Sequence, residues 1–385
     1  MTSARRRVVL LGATGSIGRQ ACEIVARFPE QFELVGAVVG SDTKGLAEVV
    51  ERFGIRRSAV VAPRDPSAPL PSGAAIGLDA VCEVAALDAD VVCVGIAGAA
   101  ALRPTLAALD HGTDVAIATK EVLVMAGELV RARARQSGAS LIPVDSEHSA
   151  LWQCLRGEDP QSVARLLLTA SGGPFRDRPL DTLSAVTVDE ALHHPNWSMG
   201  PKITVDSATM MNKGLEIIEA HFLFDVPYAR IDVVIHPPSI VHSAVEFVDG
   251  ATVAQIGMPD MRIPIALALT GGRRLSGICA PADLTQASPL EFAPVDPRRF
   301  PAPALARRAG EMGGGAPAVL NAANESAVAA FLAGRIGFTE IVPLVAETLE
   351  AAALPDNPDL DALVELDAWA RRAVEDGVQA SLAGA

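Results

Sequence analysis

Short apolar runs at 8–11, 32–39, 59–61, 90–96, 115–118 and 140–144 alternate with stretches of helical spacing, among them 17–27 and 122–135. Strands that are apolar along their whole length, with helices between most of them, predict a parallel sheet covered on both faces. Residues 1–145 are therefore read as one doubly wound α/β domain. The pattern changes after about residue 146. Between 241 and 248 the residues alternate, with Val241, Ser243, Val245 and Phe247 on one face and His242, Ala244, Glu246 and Val248 on the other. Asp249-Gly250 follows, then a second strand-like run at 251–256, and Asp-Gly between two such runs predicts a hairpin. Residues 146–271 thus read as a central α+β domain. Residues 272–300 are rich in Pro, Gly and Arg without periodicity, as in a linker. Beyond 301, alanine-rich stretches at 318–332, 340–351 and 360–374 predict a C-terminal helical domain.

Composition narrows the partners. The net charge of −14 over 385 residues disfavours nucleic acid and anionic membrane surfaces, which would repel the chain. It does not exclude a phosphorylated small molecule, which feels local charge only. No apolar run reaches the ~18 residues that a bilayer span requires. The basic start, Met1 to Arg7, runs into an apolar segment too short for a signal peptide, and nothing marks a transit peptide, so a cytoplasmic protein is expected. The five cysteines are scattered, without a Cys-x-x-Cys pair, and read as reduced, buried thiols.

The first chemistry-bearing motif is Gly12-Ala13-Thr14-Gly15-Ser16-Ile17-Gly18, between a strand and a helix. Gly12 permits a tight turn, Gly15 lets a pyrophosphate approach the backbone, and Gly18 lets helix and strand pack closely. The helix N-terminus adds free N–H groups and a positive dipole end. The domain is thus a Rossmann-type dinucleotide site. An NAD site usually carries an acid at the tip of its second strand. This chain reads Val39-Gly40-Ser41-Asp42-Thr43-Lys44, where Ser41 and Lys44 suit a 2′-phosphate and Asp42 argues the other way. NADP is the favoured cofactor.

Asp145 and Glu147 follow the strand at 140–144, at the sheet edge where such folds bind ligands. In extended chain both carboxylates point to one side. An all-oxygen pair suits Mg²⁺ or Mn²⁺, while two solvated acids at a helix start are the alternative. Residues 206–216 read as a capping pair, Asp206-Ser207, followed by a helix on which Asn212 and Glu216 share a face beside Lys213. That face either holds a polar ligand and completes a metal site or is an ordinary surface with a Lys213–Glu216 pair. The segment 193–201 packs His, Asn, Trp and Met between proline and glycine breaks, the composition of a lid or of a packing anchor. Ser171-Gly172-Gly173-Pro174 ends another apolar strand, 163–170, and offers backbone N–H groups to a phosphate.

Taken together these segments resemble the 1-deoxy-D-xylulose 5-phosphate reductoisomerase family over nearly the whole chain. The resemblance rests on GATGSIG at 12–18, TKE at 119–121, PVDSEHSA at 143–150, ASGGPF at 170–175, HPNWSMGPK at 194–202 and VDSATMMNKGLEIIEA at 205–220. HPPSIVHS at 236–243, GMPDMRIPI at 257–265 and LNAANESAVAAFL at 320–332 extend it.

The resemblance implies an NADPH enzyme of isoprenoid precursor biosynthesis. Its substrate, a ketose phosphate, rearranges by a retro-aldol/aldol or α-ketol route to an aldehyde that is then reduced. Asp145, Glu147 and Glu216 would bind Mg²⁺ or Mn²⁺, with Co²⁺ a further candidate. Lys120, Ser146, Glu147, Ser171, His194, Ser207, Asn212, Lys213 and Glu216 would contact the substrate, with Ser171, Ser207, Asn212 and Lys213 towards its phosphate. Lys120, Glu147 and His194 would carry catalytic roles. Gly12, Thr14, Gly15, Ser16, Ile17, Gly18, Gly40, Ser41, Thr119, Glu121 and Gly200 would line the cofactor, and Trp197 and Met199 would belong to a lid. A homodimer through the central sheet is implied as well. Two positions depart from the family pattern: Thr119 stands where Asn is usual, and Pro238 where Gln is usual. The nearest rival is a dehydrogenase of homoserine or a semialdehyde, which needs no metal and would leave the carboxylates without purpose. A nucleotide sensor would keep the glycine loop but have no need of Lys120.

Overall fold

In the computed structural model, residues 5–193, 199–285 and 289–384 are described. The early apolar runs form strands β1 Arg6–Leu11, β2 Phe32–Val39, β3 Arg57–Val60, β4 Ala74–Ile76, β5 Val91–Val94, β6 Asp114–Ile117 and β7 Leu141–Pro143. They pair in the order β4-β3-β2-β1-β5-β6-β7, parallel throughout. Strand order reverses at β1, so the loops after β1 and β5 flank the crevice where doubly wound sheets bind ligands. The helices α1 Ser16–Arg27, α2 Thr43–Phe53, α3 Leu78–Ala85, α4 Leu102–Asp110 and α5 Glu121–Ser137 connect these strands. Val8, Val9, Val91, Val92 and Val94 are wholly buried, as expected of central strands packed on both faces.

Next come α6 Ser146–Cys154, β8 Val163–Ala170, α7 Val188–Ala191, α8 Pro201–Thr209, α9 Met211–Phe224, β9 Ile231–Ile235, β10 Val241–Phe247 and β11 Thr252–Ile256. The predicted hairpin is present. Gly250 turns with φ +88°, the Phe247 N–H donates to Ala251 O at 2.8 Å, and β10 and β11 pair antiparallel. Val241 to Val245 are all buried, so side chains of both faces of β10 are covered over that stretch.

The remaining elements are α10 Arg262–Leu269, β12 Ala293–Pro294, α11 Ala302–Met312, α12 Ala316–Leu332, α13 Ile341–Ala351 and α14 Leu360–Gly384. Strands β8 to β12 form a mixed sheet in the order β11-β10-β8-β9-β12. The stretch expected to be a bare linker therefore contributes β12, which pairs with β9 through Ala293 and Pro294. Proline is tolerated there because β12 is an edge strand.

The chain forms two compact units. The first comprises Met1–Leu123, Gly127–Ser149 and Met258–Pro281; the second comprises Val124–Ala126, Ala150–Gly257 and Ala282–Ala385. The central and C-terminal regions, expected as separate domains, thus share one unit, and 258–281 returns to the first. In that return α10 packs on α1. Within the second unit α12 is the buried axis of the helical part, with Ala318, Val319, Leu320, Ala322 and Ala323 wholly buried. Its small side chains let α13 and α14 approach closely. No helix among the described residues is long and apolar enough to cross a membrane.

Candidate active site

The glycine loop has the geometry its spacing predicts. Gly12 has φ +97°, and a β-carbon on it would lie 2.5 Å from Gly95 O. A β-carbon on Gly18 would lie 2.2 Å from Gly12 O and 2.6 Å from the Ala13 α-carbon. These two positions exclude any side chain. The N–H groups of Gly12 and Ala13 donate to Val38 O at 2.8 Å, which ties the loop to β2. Helix α1 starts at Ser16 with extended Gly15 before it and no side-chain cap, and both residues are exposed. The first-turn N–H groups of α1 therefore face outward, available to an anion. Arg19, which the sequence did not single out, braces the loop by donating to Thr14 O at 2.6 Å.

At the tip of β2, Gly40 is exposed and Ser41 half-buried. Asp42, the residue that argues for NAD, has a structural task in this chain: its carboxylate caps α2 by accepting from the Gly45 N–H at 2.9 Å. Thr119, after β6, is buried and donates to Ile96 O at 2.6 Å. Its hydroxyl proton thus joins the ends of β5 and β6. Glu121 opens α5, half-buried.

Lys120 precedes α5 and is buried, and its ammonium pairs with the Asp145 carboxylate. Asp145 follows β7, but the backbone there is not extended as expected. Asp145 O accepts the Ser149 N–H at 2.8 Å, so the helix begins at Ser146 and Glu147 lies in its first turn. Strand β7 stops at Pro143, and the Val144 N–H still donates to Ile117 O at 2.9 Å before the chain turns into the helix. Asp and Glu in a helix's first turn also face its positive dipole end. Ser146 donates to Glu147 Oε2 at 2.5 Å. His148, which the sequence reading passed over, is wholly buried with Nδ1 4.0 Å from Asp145 Oδ2. Its signal was the three-residue helical spacing from Asp145.

In the second unit, β8 delivers Ser171 to a turn in which Gly172 and Gly173 have φ of +84° and +65°. The Gly173 N–H donates to Ser171 Oγ at 3.2 Å, and Arg176 Nη1 donates to Ser171 O at 3.1 Å. Gly173 abuts the Ser207 carbonyl, which brings the Ser171 turn against α8 at Ser207. The expected capping pair is not at a helix start. Asp206 is a buried residue inside α8, and the break comes at Met210, left-handed at φ 59°, between α8 and α9. The MMNK sequence carries no glycine or proline to announce that break.

On α9 the predicted four-residue spacing holds. Asn212 Nδ2 donates to Glu216 Oε1 at 2.5 Å, and the Lys213 ammonium pairs with the other Glu216 oxygen. Lys213 and Glu216 are both buried, which removes the ordinary-surface alternative. A buried carboxylate held by an ammonium and an amide is not left with an uncompensated desolvation cost. Met199 is half-buried and Gly200 exposed, Gly200 being the extended residue before α8. His194 and Trp197 lie outside the described residues.

The Pro238 departure sits in a turn secured by His236. Nε2 of His236 accepts the Val241 N–H at 3.1 Å, and Nδ1 lies 2.8 Å from Glu291 O. With Nε2 accepting, Nδ1 is the nitrogen that donates to the Glu291 carbonyl. The Phe292 ring stacks on it at 4.6 Å.

Comparison with known proteins decides the family. The profile described as 1-deoxy-D-xylulose 5-phosphate reductoisomerase matches residues 8–127, and C-terminal domain profiles of the same enzyme match 141–224 and 256–373. The 1-deoxy-D-xylulose 5-phosphate reductoisomerase of Leifsonia xyli subsp. xyli is 51% identical over 96% of this chain and 98% of its own. That of Gloeobacter violaceus is 50% identical over 96% of each chain. The chain belongs to the 1-deoxy-D-xylulose 5-phosphate reductoisomerase family. The reductoisomerase of Zymomonas mobilis, solved in complex with NADPH, superposes with a TM-score of 0.90 at 40% identity, over 97% of this chain and 99% of that one. A reductoisomerase in complex with NADPH, fosmidomycin and magnesium gives 0.89 at 37% identity, over 97% and 98%. Membership makes this chain an oxidoreductase of 1-deoxy-D-xylulose 5-phosphate.

Proposed function

We propose that this chain converts 1-deoxy-D-xylulose 5-phosphate to 2-C-methyl-D-erythritol 4-phosphate in the bacterial cytoplasm, with NADPH and a divalent cation, as one step of isoprenoid precursor biosynthesis. One observation carries the reading. Buried Lys120 is paired with Asp145 beside the loops that suit a dinucleotide. A dehydrogenase that only transfers hydride needs no metal and would leave the carboxylates Asp145, Glu147 and Glu216 without a purpose.

The donor set fits a hard cation, because Asp145, Glu147 and Glu216 offer oxygen alone. They would hold Mg²⁺ or Mn²⁺, and Co²⁺ is compatible. When bound, the cation supplies Lewis acidity at the substrate's oxygens and the nicotinamide supplies hydride. The chain's residues do the rest. Lys120 places fixed positive charge where oxygen becomes negative during the carbon-skeleton shift. Glu147, hydrogen-bonded by Ser146, can take and return a proton at a substrate hydroxyl. Ser171, Ser207, Asn212 and Lys213 bind the phosphate, and His194 orients the substrate. Gly12 to Gly18, with Gly40, Ser41, Thr119, Glu121 and Gly200, receive the cofactor, Thr119 by fixing the strand ends beneath it. Trp197 and Met199 close over the site and exclude water.

The functional protein is a homodimer joined through the mixed sheet. Strand β11 pairs on one side only and leaves Val253 and Ile256 each 41% exposed, an edge that a second copy would cover. The test of the activity is oxidation of NADPH by 1-deoxy-D-xylulose 5-phosphate, followed at the nicotinamide absorbance with Mg²⁺ or Mn²⁺ present. Turnover abolished by a chelator is expected. Equal turnover without metal, or turnover of a semialdehyde only, would overturn the reading.

A further inference from the structure

A buried polar link joins the helical part of the second unit to α8. Asp206 is 1% exposed, and its Oδ1 accepts from Asn324 Nδ2 on α12 at 2.8 Å, while its Oδ2 pairs with Lys202 Nζ at 2.9 Å. Asn324 is itself wholly buried. Its neighbour one turn back, Asn321, is also wholly buried and donates to Glu325 Oε1 at 3.2 Å. Glu325 in turn pairs with Arg371 of α14, and Arg371 pairs with Asp367. Both stand on an inner face of α12 that is otherwise apolar, with Val319, Leu320, Val328 and Phe331 among its buried residues. A buried amide aimed at a buried carboxylate fixes register more than it adds stability.

What it fixes is the stretch of α8 that carries Ser207. That residue follows Asp206 directly, and its carbonyl is the surface against which Gly173 seats the Ser171 turn. Three residues later the chain bends at left-handed Met210 into α9, which carries Asn212 and Lys213. We propose that Asn324 is a positioning residue for phosphate recognition, acting through Asp206 on the Ser171–Ser207 pair. The inference rests on the reading of Ser171 and Ser207 as phosphate contacts. It gives the C-terminal helices a role in substrate affinity, although neither Asn324 nor Asp206 touches the substrate.

The test uses the full chain and four variants: Asn324→Leu, Asn324→Asp, the exchange Asp206→Asn/Asn324→Asp, and Ser207→Ala. The readouts are KM for 1-deoxy-D-xylulose 5-phosphate, inhibition by inorganic phosphate and the Kd of NADPH. Asn324→Leu should raise KM and weaken phosphate inhibition by about tenfold each, as expected when one charge-assisted hydrogen bond that shapes a site is lost. NADPH affinity should stay within about twofold, because the glycine loop is untouched. Asn324→Asp sets two carboxylates face to face and should lose as much, and the exchange should recover part of the loss, since it restores the link to α12 but gives up the Lys202 pair. A folded Asn324→Leu protein with parental KM and phosphate inhibition overturns the inference, even with a lowered Tm, whenever Ser207→Ala does weaken phosphate. If Ser207→Ala also leaves phosphate inhibition unchanged, the phosphate reading falls and takes the inference with it. Should Asn324→Leu not fold, Asn324→Asp decides, and a folded Asn324→Asp protein with parental KM and phosphate inhibition is fatal.

Discussion

Gly173 and Ser207 meet backbone to backbone: a β-carbon on Gly173 would fall 2.6 Å from the Ser207 carbonyl oxygen and 3.1 Å from the Ala208 α-carbon. With φ +65° the position is also strained for any other residue. Gly173→Ala should cost about 1–3 kcal/mol of strain and push the Ser171 turn off α8. The expected kinetic result is a KM increase of about tenfold or more for the phosphosugar, with NADPH affinity preserved. Steady-state kinetics beside a cofactor titration would check it, and an unchanged KM would count against a shared phosphate site.

Gly18→Ala attacks the cofactor instead. The added methyl would sit 2.2 Å from Gly12 O, so helix α1 must shift away from the loop that receives the pyrophosphate. NADPH affinity measured by fluorescence should fall at least about tenfold. Equal affinity would mean that the loop tolerates the shift and that the anion is held elsewhere.

Glu216→Gln keeps the shape of the α9 site but removes the charge that faces Lys213. Metal-dependent turnover should drop by about a hundredfold or more, while NADPH binding stays intact. Assays across a range of Mg²⁺ and Mn²⁺ concentrations would show it. Full activity in this variant would remove Glu216 from the ligand set.

Asp42→Ala separates capping from cofactor choice. Loss of the bond from the Gly45 N–H should cost about 1 kcal/mol, visible as a lower Tm, and Asp42→Asn should restore most of it. The preference for NADPH over NADH should not move. A shift towards NADPH on removing the carboxylate would show that Asp42 reads the ribose after all.

The thiols give a pH prediction. All five cysteines are free, and burial pushes Cys93 up to about 12 and Cys22 and Cys154 up to about 11, from an ordinary 9.0. Native protein at pH 8 should react with a thiol reagent first at half-buried Cys82 and Cys279, and all five should react after unfolding. A raised folded pKa contributes stability that is whole below pH 9 and is lost as the pH rises towards 11–12. Denaturant midpoints measured between pH 8 and 11 should therefore fall. A flat profile would contradict the burial of these thiols as charged-form penalties.

Much of this was legible in the sequence because it depended on local pattern. Strand β2 and strand β8 run over the residues their apolar runs predict, and the Asp249-Gly250 hairpin forms where its turn chemistry requires. The Asn212–Glu216 bond follows from helical spacing alone. What escaped was set by tertiary partners. Ala74–Ile76 becomes a strand only because β3 offers it an edge, and Ala293–Pro294 only because β9 does. Asp206 resembles a cap until Asn324, more than a hundred residues away, is known to face it. Asp145 and Glu147 lie on a helix turn and not on extended chain because the Ser149 N–H closes onto Asp145 O, a bond that the apolar run at 140–144 does not announce.

Residues 258–281 have a consequence for biogenesis. They carry α10, which packs on α1, the helix that opens the dinucleotide loop. The unit that suits the cofactor is therefore still missing a piece when its last strand leaves the ribosome. Roughly 130 residues separate Ser149 from Pro281, and translation at about 5–20 residues per second delays closure by roughly 7–25 s. During that interval one apolar face of α1 lies bare on the nascent chain. A truncation after the last strand of the parallel sheet should accordingly be found bound to chaperones or in aggregates, and the wait should shorten when 258–281 is supplied in trans.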